Sequence, residues 1–170
     1  MGTSPVRENG ETTGCDEDGR FRRVQYWAPC VFWTLGIALF SSDYFSAGST
    51  QSIVRRLLSF AFPLMSDLTA HQIHMAIRKL AHVVTYGTLF STYVMALGRS
   101  FKPWMSVNWH TFSFGILGTL VTACLDEWHQ TFSSARTGTI LDVGWDSLGI
   151  LCFAAMWFCL AKRRIKVLEF

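Results

Sequence analysis

Four long stretches that are almost free of charge constrain this chain more than any other feature of its sequence. Residues 24–42, 80–98 and 103–125 contain no Asp, Glu, Lys or Arg, and residues 140–161 contain only two aspartates. About 20 apolar helical residues cross the roughly 30 Å hydrocarbon core of a bilayer. Only 16% of the 170 residues are charged, against about 25% in an average soluble domain. The sequence therefore predicts an all-α, polytopic membrane protein with four transmembrane helices, one in each stretch.

Polar segments flank the predicted membrane domain, which covers residues 24–161. Residues 1–23 are rich in charge and lack the apolar core of a signal peptide. We therefore expect them to form a disordered tail. Residues 162–170 are expected to form a short basic tail.

The segment between the first two predicted spans, residues 43–78, has two interpretations. Residues 57–77 are apolar and long enough for a fifth span, but Pro63 interrupts them. A fifth span would also move the linker between the second and third spans to the other side of the membrane, which breaks the charge pattern described next. We therefore favour an interfacial or re-entrant helical segment.

Basic residues cluster before the first predicted span, between the second and third, and after the fourth. The clusters are Arg20, Arg22 and Arg23; Arg99 and Lys102; and Lys162, Arg163, Arg164 and Lys166. In a four-span topology all three clusters lie on one side, which the positive-inside rule identifies as the cytoplasm. We expect a multi-pass protein of the cell inner (plasma) membrane with both termini cytoplasmic.

Acidic residues are concentrated on the opposite side. After residue 23 the chain has seven acids, and four of them lie between residues 126 and 146. Acids at membrane depth are costly and normally face a protein interior or a wet cavity. Asp126 and Gln130 are four residues apart, as are Asp142 and Asp146, so each pair shares one helix face.

A third polar stripe lies on the second predicted span, where Lys79, His82 and Tyr86 are spaced by three and four residues. Each residue also has an ordinary structural interpretation, such as a snorkelling lysine or an interfacial tyrosine. Their placement on matching faces favours a shared polar cavity that opens outward. Gly144 and Gly149 are predicted to allow close helix contact at its wall.

These residues resemble the VanZ-like family of small bacterial membrane proteins. The family pattern has Lys-x-x-His-x-x-x-Tyr, then Asp-Glu-x-x-Gln, an arginine, and Asp-x-x-x-Asn-x-x-Gly. The matching pieces here are Lys79–His82–Tyr86, Asp126–Gln130, Arg136 and Asp142–Gly149.

Two positions depart from the family pattern. Ser134–Ala135 stand where the family usually has Pro-Gly, and Asp146 stands where it usually has Asn. The resemblance implies a four-span fold and a connection with low-level resistance to teicoplanin-type glycopeptide antibiotics. It does not supply a reaction.

The sequence leads to one main functional hypothesis: an outward-facing site that binds or modifies an anionic lipid-linked or cell-envelope substrate. As an acid–base hydrolase or transferase, the protein would use Asp126 and Glu127 as general acid or base, assisted by His82. Lys79 and Arg136 would hold the anionic group. The remaining substrate-binding candidates are Tyr86, Gln130, Asp142 and Asp146.

Two other classes of function stay open at this point. The protein could be a non-catalytic binder or transporter of a lipid headgroup or drug, or its charges could form a buried network that only fixes helix packing. Cofactors are unknown, with a divalent cation held by Asp126, Glu127 and Asp146 as one alternative. The expected partner is a membrane lipid or a lipid-linked envelope precursor. Oligomerisation is left open, and no basic–aromatic pattern suggests nucleic acid.

Overall fold

Five helices account for the structure, a computed structural model that describes residues 13–42, 47–101, 109–132 and 139–168. The helices are α1 (Thr13–Phe40), α2 (Ala47–Ala61), α3 (Asp67–Phe101), α4 (Trp109–Gln130) and α5 (Ile140–Leu168). The described residues contain no strand. The predicted all-α class is confirmed.

Helix α3 is the centre of the bundle. It contacts α1, α2, α4 and α5, most extensively α5. Tyr86, Leu89 and Phe90 of α3 are fully buried in the core, together with Ile150 of α5. An indole hydrogen bond also fixes α1, since Trp33 Nε1 donates to the Thr85 carbonyl at 2.9 Å.

A glycine allows α3 and α5 to approach closely. A Cβ atom built on Gly149 would collide with the main chain of Val83, whereas one on Gly144 would meet nothing within 4 Å. The predicted close contact is thus confirmed for Gly149 and is wrong for Gly144, which faces away from the neighbouring helices. The close contact between Gly149 and the Val83 main chain lies about one helical turn from the polar residues of α5.

Two helical segments among the described residues are long and apolar enough to cross a membrane, by length and composition alone. They are Asp67–Arg99 and Ile140–Lys162, and Val24–Phe40 is a shorter apolar helix. Large apolar side chains such as Phe32, Leu117 and Leu151 are exposed, as expected of surfaces that face lipid. The fold is consistent with a membrane protein, and the number of four transmembrane helices stays a prediction.

Both outer helices extend into the predicted tails. Helix α1 begins at Thr13 and α5 continues to Leu168, whereas residues 1–12 lie outside the described residues. By sequence position, acidic residues 16–18 fall near the N-terminus of α1, and four of the five residues 162–166 are basic and fall near the C-terminus of α5. No proline interrupts either extension.

The segment between the first two predicted spans contains α2 and the first turns of α3. Pro63 lies in the turn between them, and Ser66 caps α3 by accepting a hydrogen bond from the Thr69 amide at 3.2 Å. Arg55 of α2 forms a 2.6 Å ion pair with Asp67 at the start of α3. The segment thus contains one separate helix, α2, whereas its second part continues without a break into the second predicted span. Its interfacial or re-entrant placement stays a prediction.

Candidate functional site

A histidine and an aspartate link α3 to α5 in the middle of the predicted polar site. His82 Nδ1 and Asp146 Oδ1 are 2.8 Å apart. Asp146 is completely buried, whereas the His82 side chain keeps about a fifth of its surface exposed, at 19%. The carboxylate therefore fixes the orientation of an imidazole that still has an accessible edge.

A second polar group joins α3 to α4. The Tyr86 hydroxyl donates to Asp126 Oδ2 at 2.8 Å, and Gln130 Nε2 donates to the same oxygen at 3.0 Å. Gln130 Nε2 also lies 3.3 Å from the Ser41 hydroxyl at the end of α1. The Tyr86 ring stacks on the His82 ring, with centroids 6.3 Å apart, so the two polar groups are adjacent.

Glu127 lies near the C-terminal end of α4 and is hydrogen-bonded to the residue that precedes α5. Its Oε2 accepts the Thr139 backbone N–H at 3.0 Å. Its Oε1 is buried and has no hydrogen-bond partner among the described residues, and the same is true of Asp146 Oδ2. His82, Glu127 and Asp146 each offer one potential metal-ligand atom, and these three atoms lie within 4.8 Å of one another. The three residues could therefore hold a metal ion.

A cavity of about 580 Å³ lies against the accessible side of this cluster. One wall is apolar and comes mainly from α1, with Phe32, Ile37 and Phe40. The other wall, here called the polar wall, follows one face of α3, where polar side chains are interspersed with Ile77 and Ala81; most of the cavity surface is apolar. At its end stand the polar side chains His82, Tyr86, Asp126, Gln130 and Ser41.

The stretch of chain that contains all of these side chains matches a known family. The VanZ/LLP1 family model matches residues 26–162. The chain belongs to the VanZ/LLP1 family. Comparison with curated proteins and with solved structures found no match.

The VanZ/LLP1 chain brings together six of the nine residues that the sequence singled out. They are His82, Tyr86, Asp126, Glu127, Gln130 and Asp146. Only His82, Tyr86, Asp126 and Gln130 of these line the cavity, while Glu127 and Asp146 stand behind its wall.

The other three predicted residues have different surroundings in this VanZ/LLP1 chain. Lys79 is exposed, and its Nζ lies over the Trp145 ring, 5.1 Å from the centroid. Asp142 accepts a 2.8 Å hydrogen bond from the Thr139 hydroxyl in the first turn of α5, as a residue at a helix start does. Arg136 lies outside the described residues.

Sequence reasoning missed the lower part of the polar wall. Arg78 and His74 line the cavity together with Thr50 of α2. His74 Nε2 lies 3.2 Å from the Thr50 hydroxyl, while its Nδ1 is buried without a partner among the described residues. The signal was present, because His74, Arg78, His82 and Tyr86 follow one another at intervals of four. Treating residues 43–78 as a separate interfacial segment divided this continuous helix face between two predicted elements.

Proposed function

We propose that this VanZ/LLP1-family member is a multi-pass membrane protein that binds an anionic, lipid-linked molecule in the cavity between α1, α2 and α3. The observation that carries the proposal is a mostly apolar cavity whose polar side chains are concentrated along one face of α3 and at one end of it. Its volume of about 580 Å³ falls within the range of small-molecule sites, about 300–1,000 Å³. The apolar wall suits the first part of a lipid chain, and the polar wall suits its headgroup.

Arg78 supports an anionic headgroup. Its side chain lines the cavity, and the ion pairs among the described residues, Arg55–Asp67 and His82–Asp146, do not include it. A guanidinium with no carboxylate partner binds phosphate or carboxylate groups through charge-assisted hydrogen bonds. His74, one turn away, also lines the cavity. In this proposal Arg78 and His74 take the role that the sequence gave to Lys79 and Arg136.

The His82–Asp146 pair supports chemistry on the bound molecule as an additional role. A histidine whose ring is oriented by a buried carboxylate can accept and return a proton, and His82 borders the cavity. Asp146 is then a positioning residue, and Asp126 is the acid that lines the cavity among the described residues. Without turnover, the same geometry serves a non-catalytic lipid-headgroup or drug binder.

The proposed placement in the membrane follows from the basic residues of the sequence. Four spans with both termini in the cytoplasm direct the polar wall toward the outer side. There it would meet lipid-linked envelope precursors of the inner membrane. Binding of such a precursor would alter susceptibility to glycopeptide antibiotics, in keeping with the family resemblance.

The proposal is tested by comparing two ligands that differ only in the phosphate group. The protein is purified in detergent, and binding of a polyprenyl phosphate and of the matching uncharged polyprenol is followed through the fluorescence of the tryptophans, which include Trp33 on the cavity wall. We expect tighter binding of the phosphate. Arg78→Gln should weaken phosphate binding by about tenfold or more, since a hydrogen bond to a charged group contributes about 1.5–3 kcal/mol.

The matched control is Arg56→Gln, because Arg56 is exposed on α2 and does not line this cavity. It should leave both affinities unchanged. Equal affinity of the native protein for the phosphate and the alcohol, unaltered by Arg78→Gln, would rule out the anionic headgroup. Release of inorganic phosphate or of a free headgroup during the assay would show that the protein is an enzyme.

A further inference from the structure

Three helices each direct one metal-binding type of side chain to a common point. His82 of α3, Glu127 of α4 and Asp146 of α5 offer a nitrogen and two carboxylate oxygens that lie within 4.8 Å of one another. We infer that these three residues form a binding site for a divalent transition-metal ion. The inference concerns the wall behind the cavity and does not depend on what the cavity binds; a metal-bound His82 would not also accept a proton, so the inference replaces the acid–base role considered for His82 above.

The two carboxylates each have one oxygen without a partner. Glu127 is 5% exposed and Asp146 is 0% exposed. Thr139 supplies an N–H to Glu127 Oε2, and His82 pairs with Asp146 Oδ1. Glu127 Oε1 and Asp146 Oδ2 are both buried and unpartnered among the described residues. Burying a polar group without a partner is strongly unfavourable, and a cation bound between the two carboxylates would compensate this cost.

The donor atoms fit an ion of the zinc and manganese class. Imidazole nitrogen favours ions such as zinc, whereas carboxylate oxygen also suits manganese. Bonds of about 2.0–2.2 Å place neighbouring ligand atoms about 3.3–3.6 Å apart around a tetrahedral ion. The present separation of up to 4.8 Å leaves room for an ion and requires the side chains to close by an ångström or two.

Asp126 is outside this ligand set. Its Oδ2 already accepts hydrogen bonds from Tyr86 and Gln130. The structure therefore replaces the all-carboxylate set considered from the sequence with one that includes His82. Because three protein ligands leave a coordination position open, and because His82 also lines the cavity, the ion would lie beside the cavity wall.

The test uses the full-length protein in detergent, stripped with a chelator and without added lipid. Zn²⁺ is titrated by calorimetry, and Co²⁺ serves as a spectroscopic probe. We expect saturable binding of one ion per chain and visible d–d bands with no thiolate-to-cobalt charge-transfer band. The absence of saturable binding, or a charge-transfer band that places the ion on a cysteine, would overturn the inference without affecting the proposed lipid binding.

Two variants and a control assign the ion to the cluster. Glu127→Gln and His82→Gln should each weaken Zn²⁺ binding by more than about tenfold, since changes even in the groups around a metal's ligands cost that much. Asp67→Asn removes an exposed carboxylate elsewhere on α3 and should leave the affinity unchanged. Native affinity in both cluster variants would refute the site. If neither variant folds, as judged by helical circular dichroism and gel filtration, the Co²⁺ spectrum of the native protein decides alone.

Discussion

His82 and Asp146 are 64 residues apart in sequence, yet His82 Nδ1 lies 2.8 Å from Asp146 Oδ1. The pair connects α3 to α5, the two helices that contact each other most extensively. One partner is fully buried and the other reaches the cavity. The pair therefore links the packing of α3 against α5 to the geometry of the cavity wall. A substitution of Asp146 tests how much this link contributes to stability.

Asp146→Asn should destabilise the protein while keeping the shape of the side chain. The amide can still meet the imidazole, but it replaces a charge-assisted interaction in a buried setting. We expect the free energy of unfolding to fall by about 1.5–3 kcal/mol, measured by thermal unfolding in detergent. Ser147→Ala is the control, because among the described residues the Ser147 hydroxyl donates to the Val143 carbonyl of its own helix and to no other group. Equal stability of Asp146→Asn and native protein would show that the pair adds little to packing.

The glycines of α5 offer a matched pair for testing the close approach of α3 and α5. Gly149→Ala places a methyl group against the Val83 main chain, which cannot move as a side chain could. We expect a loss of about 1–3 kcal/mol in the free energy of unfolding. Gly144→Ala meets nothing within 4 Å and should be neutral or stabilising by up to about 1 kcal/mol, because alanine favours helix. Similar melting temperatures for the two variants would contradict this packing.

Tyr86→Phe tests the hydrogen bond that joins α3 to α4. The variant keeps the buried ring and its stacking on His82 but removes the hydroxyl that donates to Asp126 Oδ2. Gln130 still donates to that oxygen, so we expect a moderate loss of about 1–2 kcal/mol in the free energy of unfolding. Tyr93→Phe is the control, since no hydrogen bond joins the Tyr93 hydroxyl to a described side chain. A larger loss for Tyr93→Phe would invalidate the assignment.

Helical spacing predicted which faces of α3, α4 and α5 carry polar residues. The i, i+4 relation of Asp126 and Gln130 corresponds to a shared contact, since Gln130 Nε2 donates to Asp126 Oδ2. Spacing does not say which neighbour each side chain meets. Asp126 and Glu127 are adjacent in sequence but point about 100° apart on the helix, so Asp126 contacts Tyr86 while Glu127 meets the Thr139 amide.

The apolar side of the cavity could not be predicted from the sequence. Phe32, Ile37 and Phe40 appear only as members of an uncharged stretch, and their contribution to a cavity depends on how α1 packs against α3. The hydrogen bond from the Trp33 indole N–H to the Thr85 carbonyl fixes that packing. Because the acceptor is a backbone group, no pattern of residue types reveals this contact. Long-range packing therefore supplies the part of the site that periodicity leaves out.

Gly36 on α1 gives a direct test of the cavity as a binding site. It lines the cavity, and a Cβ added there would meet nothing within 4 Å, so Gly36→Leu should fill space rather than disturb the fold. Removing a glycine from a helix also favours the helix by about 1 kcal/mol.

We expect Gly36→Leu to keep or raise the melting temperature while polyprenyl phosphate binding weakens by about tenfold, or about 1.4 kcal/mol. Gly144→Leu is the control, since Gly144 also has open space around it but lies away from the cavity. Weaker binding in both variants would point to a general effect on α1 and α5. Unchanged binding in Gly36→Leu would mean that the lipid-linked ligand binds elsewhere, because a leucine at this position occupies the space that its chain requires.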